Sequence, residues 1–221
     1  MRTFERLVIA ADSPEVQRLC ESWGAPVLMT DPMLPSGTDR VAEVFERPEF
    51  RDFSLVVNVQ GDEPLVAESH LSEAIRLVRD GGWDVGTCAT PVRTREAFED
   101  PNTVKVARAS GGRALYFSRV GIPHKRDGLP GEPEFGSVPF LRHIGIYAYT
   151  REALARWVAL SPSPLEELER LEQLRALEAG MRIGVAVVDQ ASPGVDTPAD
   201  MLIIEEILSR TGAAIPMEER K

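Results

Sequence analysis

Short unbroken apolar runs alternate along the chain with longer stretches whose apolar residues recur every three or four positions. The runs are Leu7–Ala11, Pro26–Met29, Leu55–Val59, Val85–Thr90 and Ile183–Val188. Each reads as a strand; the mostly apolar, β-branched-rich Leu55–Val59, which does not alternate, predicts one covered on both faces, and Ile183–Val188 predicts another buried strand. Between the first two lies a helical period that would carry Val16, Leu19, Cys20 and Trp23 inward. Asp12 or Ser13 can cap it, Pro14 suits its first turn and Gly24 stops it. Further helices are predicted after Ser36, over Glu68–Val78 before Asp80-Gly81-Gly82, over Arg151–Leu160, over Leu165–Ala179 and over Met201–Leu208. In Leu165–Ala179 the stripe Leu165, Leu168, Leu171, Leu174, Leu177 leaves Glu172 and Gln173 on the solvent side.

Alternating strands and helices predict an α/β fold. Two stretches depart from simple repetition. Asn102–Arg108 and Ala114–Ser118, joined through Gly111-Gly112, read as an antiparallel hairpin. Leu141–Tyr149 is a long strand whose His143, Gly145, Tyr147 and Tyr149 share one face by period two. The Gly- and Pro-rich residues 126–139 before it read as a mobile loop. No repeat or linker divides the chain, so residues 1–221 are expected to form a single domain.

Composition narrows the partners. With 25 basic and 35 acidic residues the net charge is −10, which argues against nucleic acid or an anionic membrane surface. No apolar run reaches membrane-spanning length, and Met1–Arg6 lacks a signal-peptide core. Cys20 and Cys88, both in or beside apolar segments, are expected to be free buried thiols in a cytoplasmic protein.

Candidate chemistry gathers where strands end. Leu55–Val59 delivers Gln60-Gly61-Asp62-Glu63-Pro64, a polar turn at the sheet edge where ligands of parallel sheets bind. Asp62 offers hard oxygens for Mg²⁺ alongside substrate phosphates. Asp196, between a strand end and a helix start, reads either as a cap or as a second carboxylate for that metal. Ser36-Gly37-Thr38-Asp39-Arg40 opens a helix whose exposed amides suit an anion or a base edge, although plain capping also explains it. The His/Tyr face of Leu141–Tyr149 suits a polyhydroxylated ligand. Neither a Gly-x-x-x-x-Gly-Lys loop nor a Gly-x-Gly-x-x-Gly fingerprint is present.

Taken together and in order, these motifs resemble one family. They are Ser36-Gly37-Thr38-Asp39-Arg40, Val57–Pro64, Ala114–Arg119, His143-Ile144-Gly145-Ile146-Tyr147, Leu171-Glu172-Gln173-Leu174-Arg175 and Gly194-Val195-Asp196-Thr197-Pro198. The chain is similar to the 3-deoxy-manno-octulosonate (Kdo) cytidylyltransferases from about Glu5 to Leu208. The resemblance implies a Rossmann-like, three-layer nucleotidyltransferase fold with a central mixed, mainly parallel sheet and an antiparallel dimerisation excursion. It implies CMP transfer from CTP to Kdo for lipopolysaccharide synthesis, with Mg²⁺ and a homodimer. Asp62 and Asp196 match the family's metal ligands, and Ser36, Gly37 and Arg40 match the cytosine pocket. Gln60, Arg119, His143, Tyr147, Glu172 and Gln173 match positions around the sugar acid, with Arg119 on its carboxylate. Rival expectations are a synthetase for a sialic-acid-like or 8-amino Kdo substrate, or a non-catalytic relative. The family's basic Pro-Ala-Arg…Ser-x-Arg-Leu-Pro-Gly-Lys-Pro loop has no match in Met1–Arg6. The expectation is a start assigned too far downstream, and poor CTP binding by the chain as written.

Overall fold

A computed structural model describes residues 4–131, 134–189, 194–195 and 197–211. The expected alternation is present. Strand β1 (Ile9–Ala11) pairs in parallel with β2 (Val27–Met29) across α1 (Pro14–Ser22). Ser13 caps α1, its hydroxyl accepting from the amides of Glu15 and Val16. Ser36 caps α2 (Gly37–Phe45) in the same way through Asp39. The main sheet contains β3 (Leu55–Val59), β4 (Val85–Pro91), β5 (Lys105–Arg108), β6 (Ala114–Ser118), β7 (Leu141–Thr150) and β8 (Ile183–Val187).

The order is β6-β5-β7-β4-β8, with β3 also on β7. Because β4 fills one edge of β7 from Leu141 to Tyr149, β3 and β5 must share the other. There β3 takes Ile146–Thr150, and β5 meets β7 at Arg142. Strands β3, β4, β5 and β8 run one way and β6 and β7 the other, so the sheet is mixed as expected, but not mainly parallel: because β7 runs against all of its neighbours, only the β4–β8 pairing is parallel within it.

Helices cover both faces. Helix α2 and α5 (Arg151–Val158) pack on one side through Val44, Phe45, Leu154 and Trp157, against Val85, Tyr147 and Tyr149 of the sheet. On the other side α3 (Glu68–Arg79) sets Ala74, Leu77 and Val78 against Cys88, Ile144, Ile146 and Ala148. A short helix not foreseen from the sequence, α4 (Arg95–Glu99), brings Phe98 against Phe135 and Phe140. The Gly/Pro-rich loop is thereby pinned by two aromatic rings. Both cysteines are free and buried, as expected, and burial pushes the Cys88 thiol up to about 12. Among the described residues no helix is long and apolar enough to cross a membrane.

Three further expectations need correction. Cys20 is buried, but Val16, Leu19 and Trp23 are 41%, 42% and 48% exposed. The narrow β1–β2 pair covers only part of the apolar face of α1. Strand β3 is only half-buried, and Val59 is exposed. One edge of β3 pairs with β7, and the other has no strand partner among the described residues. Finally, Leu165–Ala179 is two helices, α6 (Pro164–Glu169) and α7 (Gln173–Glu178). Ser163 and Glu166 form a capping box that starts α6, and Arg170 ends it in the left-handed conformation (φ 55°). The last helix, α8 (Pro198–Thr211), starts three residues before the predicted boundary.

Close helix–sheet approach gives a test of this packing. A Cβ on Gly86 of β4 would lie 2.2 Å from the Ala74 carbonyl oxygen of α3. Gly86→Ala must push α3 off the sheet, and an overpacking cost of about 1–3 kcal/mol is expected in chemical denaturation.

Candidate active site

Strand β7 builds the site because its two edge partners do not meet. Beyond Val59, β3 leaves the sheet, its last bond running from the Gln60 amide to the Gly145 carbonyl (3.0 Å). On the other side of the gap the His143 amide donates to Val104, just before β5 (2.8 Å). Opposite this gap β7 bulges, with the β4 register shifting between Thr87 and Cys88. The gap opens into a cavity of about 840 Å³.

Gly145 permits the closest approach in the wall. A Cβ there would fall 2.4 Å from Gln60 Oε1 and 3.2 Å from Glu63 Cγ. Its amide donates to Glu63 Oε1 at 2.7 Å. The turn after β3 is therefore fastened to the bulge, and Asp62 faces the cavity. The Asp62 carboxylate makes no hydrogen bond or ion pair with any described residue. From the far side, the Val195 amide donates to the Asp62 carbonyl (2.8 Å).

The floor is aromatic and neutral. Burial, with Arg142 adding to it, pushes His143 down to about 3. Thr87 sits 2.7 Å from the Ile146 carbonyl and 2.9 Å from His143 Nε2. The single hydroxyl proton goes to the carbonyl, so His143 Nε2–H donates to Thr87 and Nδ1 is left as an acceptor. Tyr147, fully buried, is held protonated far above its usual range by burial, then by Tyr149 and the nearby carboxylates Glu172, Asp62 and Glu63.

The break between α6 and α7 supplies the remaining wall. It turns Glu172 into the cavity and buries Gln173 at 4% exposure. The helical period alone put both on the solvent side of one continuous helix, whereas the family resemblance put both in the site. Thr38 at the start of α2 donates to Glu172 Oε1 at 2.5 Å. Glu172 Oε2 is buried without a hydrogen-bond partner among the described residues.

Residues 1–183 match the family model described as cytidylyltransferase. The chain is 47% identical over 199 residues to the 3-deoxy-manno-octulosonate cytidylyltransferase of Gemmatimonas aurantiaca, covering 90% of this chain and 76% of that protein. Its counterpart in Halorhodospira halophila is 44% identical over 211 residues, covering 93% and 82%. The chain belongs to the 3-deoxy-manno-octulosonate cytidylyltransferase family. A solved structure of CMP:2-keto-3-deoxy-manno-octonic acid synthetase complexed with CTP superposes on this cytidylyltransferase with a TM-score of 0.80 at 34% identity, covering 94% of this chain and 82% of that one. The inositol-1-phosphate CTP transferase of T. maritima shares the fold alone (TM-score 0.57, 13% identity, 96% and 78% covered).

In this cytidylyltransferase the residues singled out from sequence fall into two groups. Gln60, Asp62, Arg119, His143, Tyr147, Glu172 and Gln173 line one cavity. Ser36, Gly37 and Arg40 lie outside that lining, at the start of α2. Arg40 is paired with Asp12 at 2.6 Å and donates to Thr30 and the Asp31 carbonyl. The Thr38–Glu172 bond joins the two groups. Asp196 lies outside the described residues. Among the described residues no three His, Cys, Asp or Glu side chains are grouped to hold a metal. Asp62, with two uncommitted hard oxygens, fits a share in an Mg²⁺ site. Sequence reasoning missed Arg93, Arg142 and Arg170, which with Arg119 set four guanidinium groups among the carboxylates of Asp62, Glu63, Asp100, Glu172 and Asp200 in the cavity lining. Arginine next to His143 was visible in the sequence, but no periodicity marks which strand-end residues reach a cavity.

The state of His143 yields a pH prediction. Its native pKa of about 3 lies below the ordinary value of 6.5, so the unfolded chain takes the proton first as pH falls. Its contribution is complete above pH 6.5 and is lost progressively toward 3, with a slope of at most about 1.4 kcal/mol per pH unit. Denaturation between about pH 6.5 and 5 is expected to show this loss, and His143→Gln to flatten it.

Proposed function

We propose that the chain transfers CMP from CTP to 3-deoxy-D-manno-octulosonate, releasing pyrophosphate. The observation that carries this reading is the buried Glu172 Oε2, which has no hydrogen-bond partner among the described residues and sits in a cavity that also holds four arginines and neutral donors. A buried acceptor without a partner is costly, and a sugar hydroxyl is the group that would satisfy it. His143 Nδ1 accepts a second hydroxyl, and Tyr147, Gln60 and Gln173 supply further polar contacts. Arg119 spends its Nε, Nη1 and Nη2 on the carbonyls of Glu169, Pro101 and Arg170. That leaves two of its five N–H donors for the sugar carboxylate.

The start of α2 provides Ser36, Gly37 and Arg40 for the cytosine, joined to the sugar site through Thr38. The anomeric hydroxyl attacks the α-phosphorus in line with departing pyrophosphate, and no enzyme nucleophile is required. Asp62 and Asp196 would hold Mg²⁺, which when bound neutralises phosphate charge. Its Asp62 half is supported by the free carboxylate in the cavity wall. Val195, the residue before Asp196, is hydrogen-bonded to Asp62, which supports pairing the two carboxylates. A homodimer and a place in lipopolysaccharide synthesis belong to the same proposal.

Pyrophosphate release from CTP plus Kdo with Mg²⁺ tests the reading. Turnover is expected with both substrates and neither alone. Asp62→Asn is expected to lower kcat by about 100-fold or more. Full Mg²⁺-dependent turnover by that variant removes Asp62 from the metal site.

A further inference from the structure

The cavity wall that presents Arg119 is held from behind by a group that never reaches the cavity. Lys105 is completely buried in β5, a rare position for an ammonium group. Its Nζ donates to three backbone carbonyls, those of Asp100 (2.7 Å), Thr103 (2.5 Å) and Arg119 (2.6 Å). An ammonium has three N–H donors, so the three carbonyls match it and a neutral amine, with two, would leave one unpaired. All three carbonyls belong to residues that line the cavity.

The other side of the Arg119 backbone is held as firmly. Its amide donates to Glu169 Oε2 at 2.9 Å, and the Ser118 hydroxyl donates to Glu169 Oε1 at 2.6 Å. The guanidinium then returns to the same two segments, bonding Pro101 O within the loop that Lys105 gathers and Glu169 O at the end of α6. Arg119 is thus fixed at its N–H, its carbonyl and its side chain by one closed network. Lys105 joins the Asp100, Thr103 and Arg119 carbonyls at one point, adding to the Arg119–Pro101 bond that also ties the 100–103 loop to the end of β6.

We propose that Lys105 is a positioning residue for sugar-acid recognition, acting through Arg119. This rests on the proposed role of Arg119 at the sugar carboxylate. A buried cation used only to stabilise the fold needs no connection to the cavity, whereas every bond Lys105 makes ends on a cavity-lining residue. The charged groups facing it are Asp100, Arg119 and Glu169, with Arg142 opposite it on β7. Burial lowers its pKa to about 8, against the pull of Asp100 and Glu169 and with a further push from Arg119.

The test is steady-state pyrophosphate release by the wild type, Lys105→Met, Arg119→Lys and the double variant, varying CTP and Kdo separately. Lys105→Met is expected to raise KM for Kdo by about tenfold or more while KM for CTP changes by less than about twofold. In the Arg119→Lys background, which has already lost the guanidinium fork, the same substitution is expected to change KM for Kdo by less than about twofold. KM values that rise together, or effects that simply multiply in the double variant, overturn the proposal. Should Lys105→Met not fold, the unaltered enzyme carries the test. Raising the pH from about 7 to about 9.5 removes the third donor, so KM for Kdo is expected to rise while KM for CTP holds. A flat KM for Kdo across that range overturns it. A wild type without activity on CTP plus Kdo defeats the functional reading itself, and the proposal with it.

Discussion

Everything at the site follows from one constraint on backbone pairing, namely that β7 serves two strands along a single edge. Since β3 and β5 each pair with part of that edge, neither can continue into the other's territory. The sheet therefore has an internal opening at Gly145, walled by strands that are each bonded to β7 up to its margin. A cavity made this way is bounded by rigid elements on both sides, which is what precise placement of a polar substrate needs. The bulge in β7 redirects His143 and Tyr147 around the same opening.

Much of this was legible beforehand, for a physical reason. Strands such as Val85–Thr90 and Ile183–Val188 are short, buried and unbroken, and caps such as Ser13 and Ser36 act through local bonds. Information that resides within a few residues survives in the sequence. The gathering of Gln60, Asp62, His143 and Glu172 was legible through an ordered set of motifs rather than through any single one.

What escaped was tertiary in origin. The leucine stripe from Leu165 to Leu177 satisfies helical periodicity throughout, yet Leu168 is 80% exposed and the helix breaks two residues later. No glycine announces the left-handed turn, because Arg170 adopts it. Its carbonyl and that of Glu169 are instead taken up by Arg119, some fifty positions earlier. Likewise Val16, Leu19 and Trp23 have the spacing of a buried face without neighbours wide enough to bury them.

The joint between α6 and α7 also sets angular phase. Each residue in a helix rotates the next by about 100°, so a continuous helix would fix the direction of Gln173 from that of Leu165. The interruption discards that inheritance. Helix α7 starts with its own orientation and buries four consecutive residues, Gln173 to Ala176, which no one-sided helix can do. The cavity-facing direction on α7 is thereby uncoupled from the surface-facing direction of α6. One residue gained or lost in the joint would re-aim Glu172 and Gln173 while leaving both helices intact, making this short segment a natural lever on the shape of the cavity.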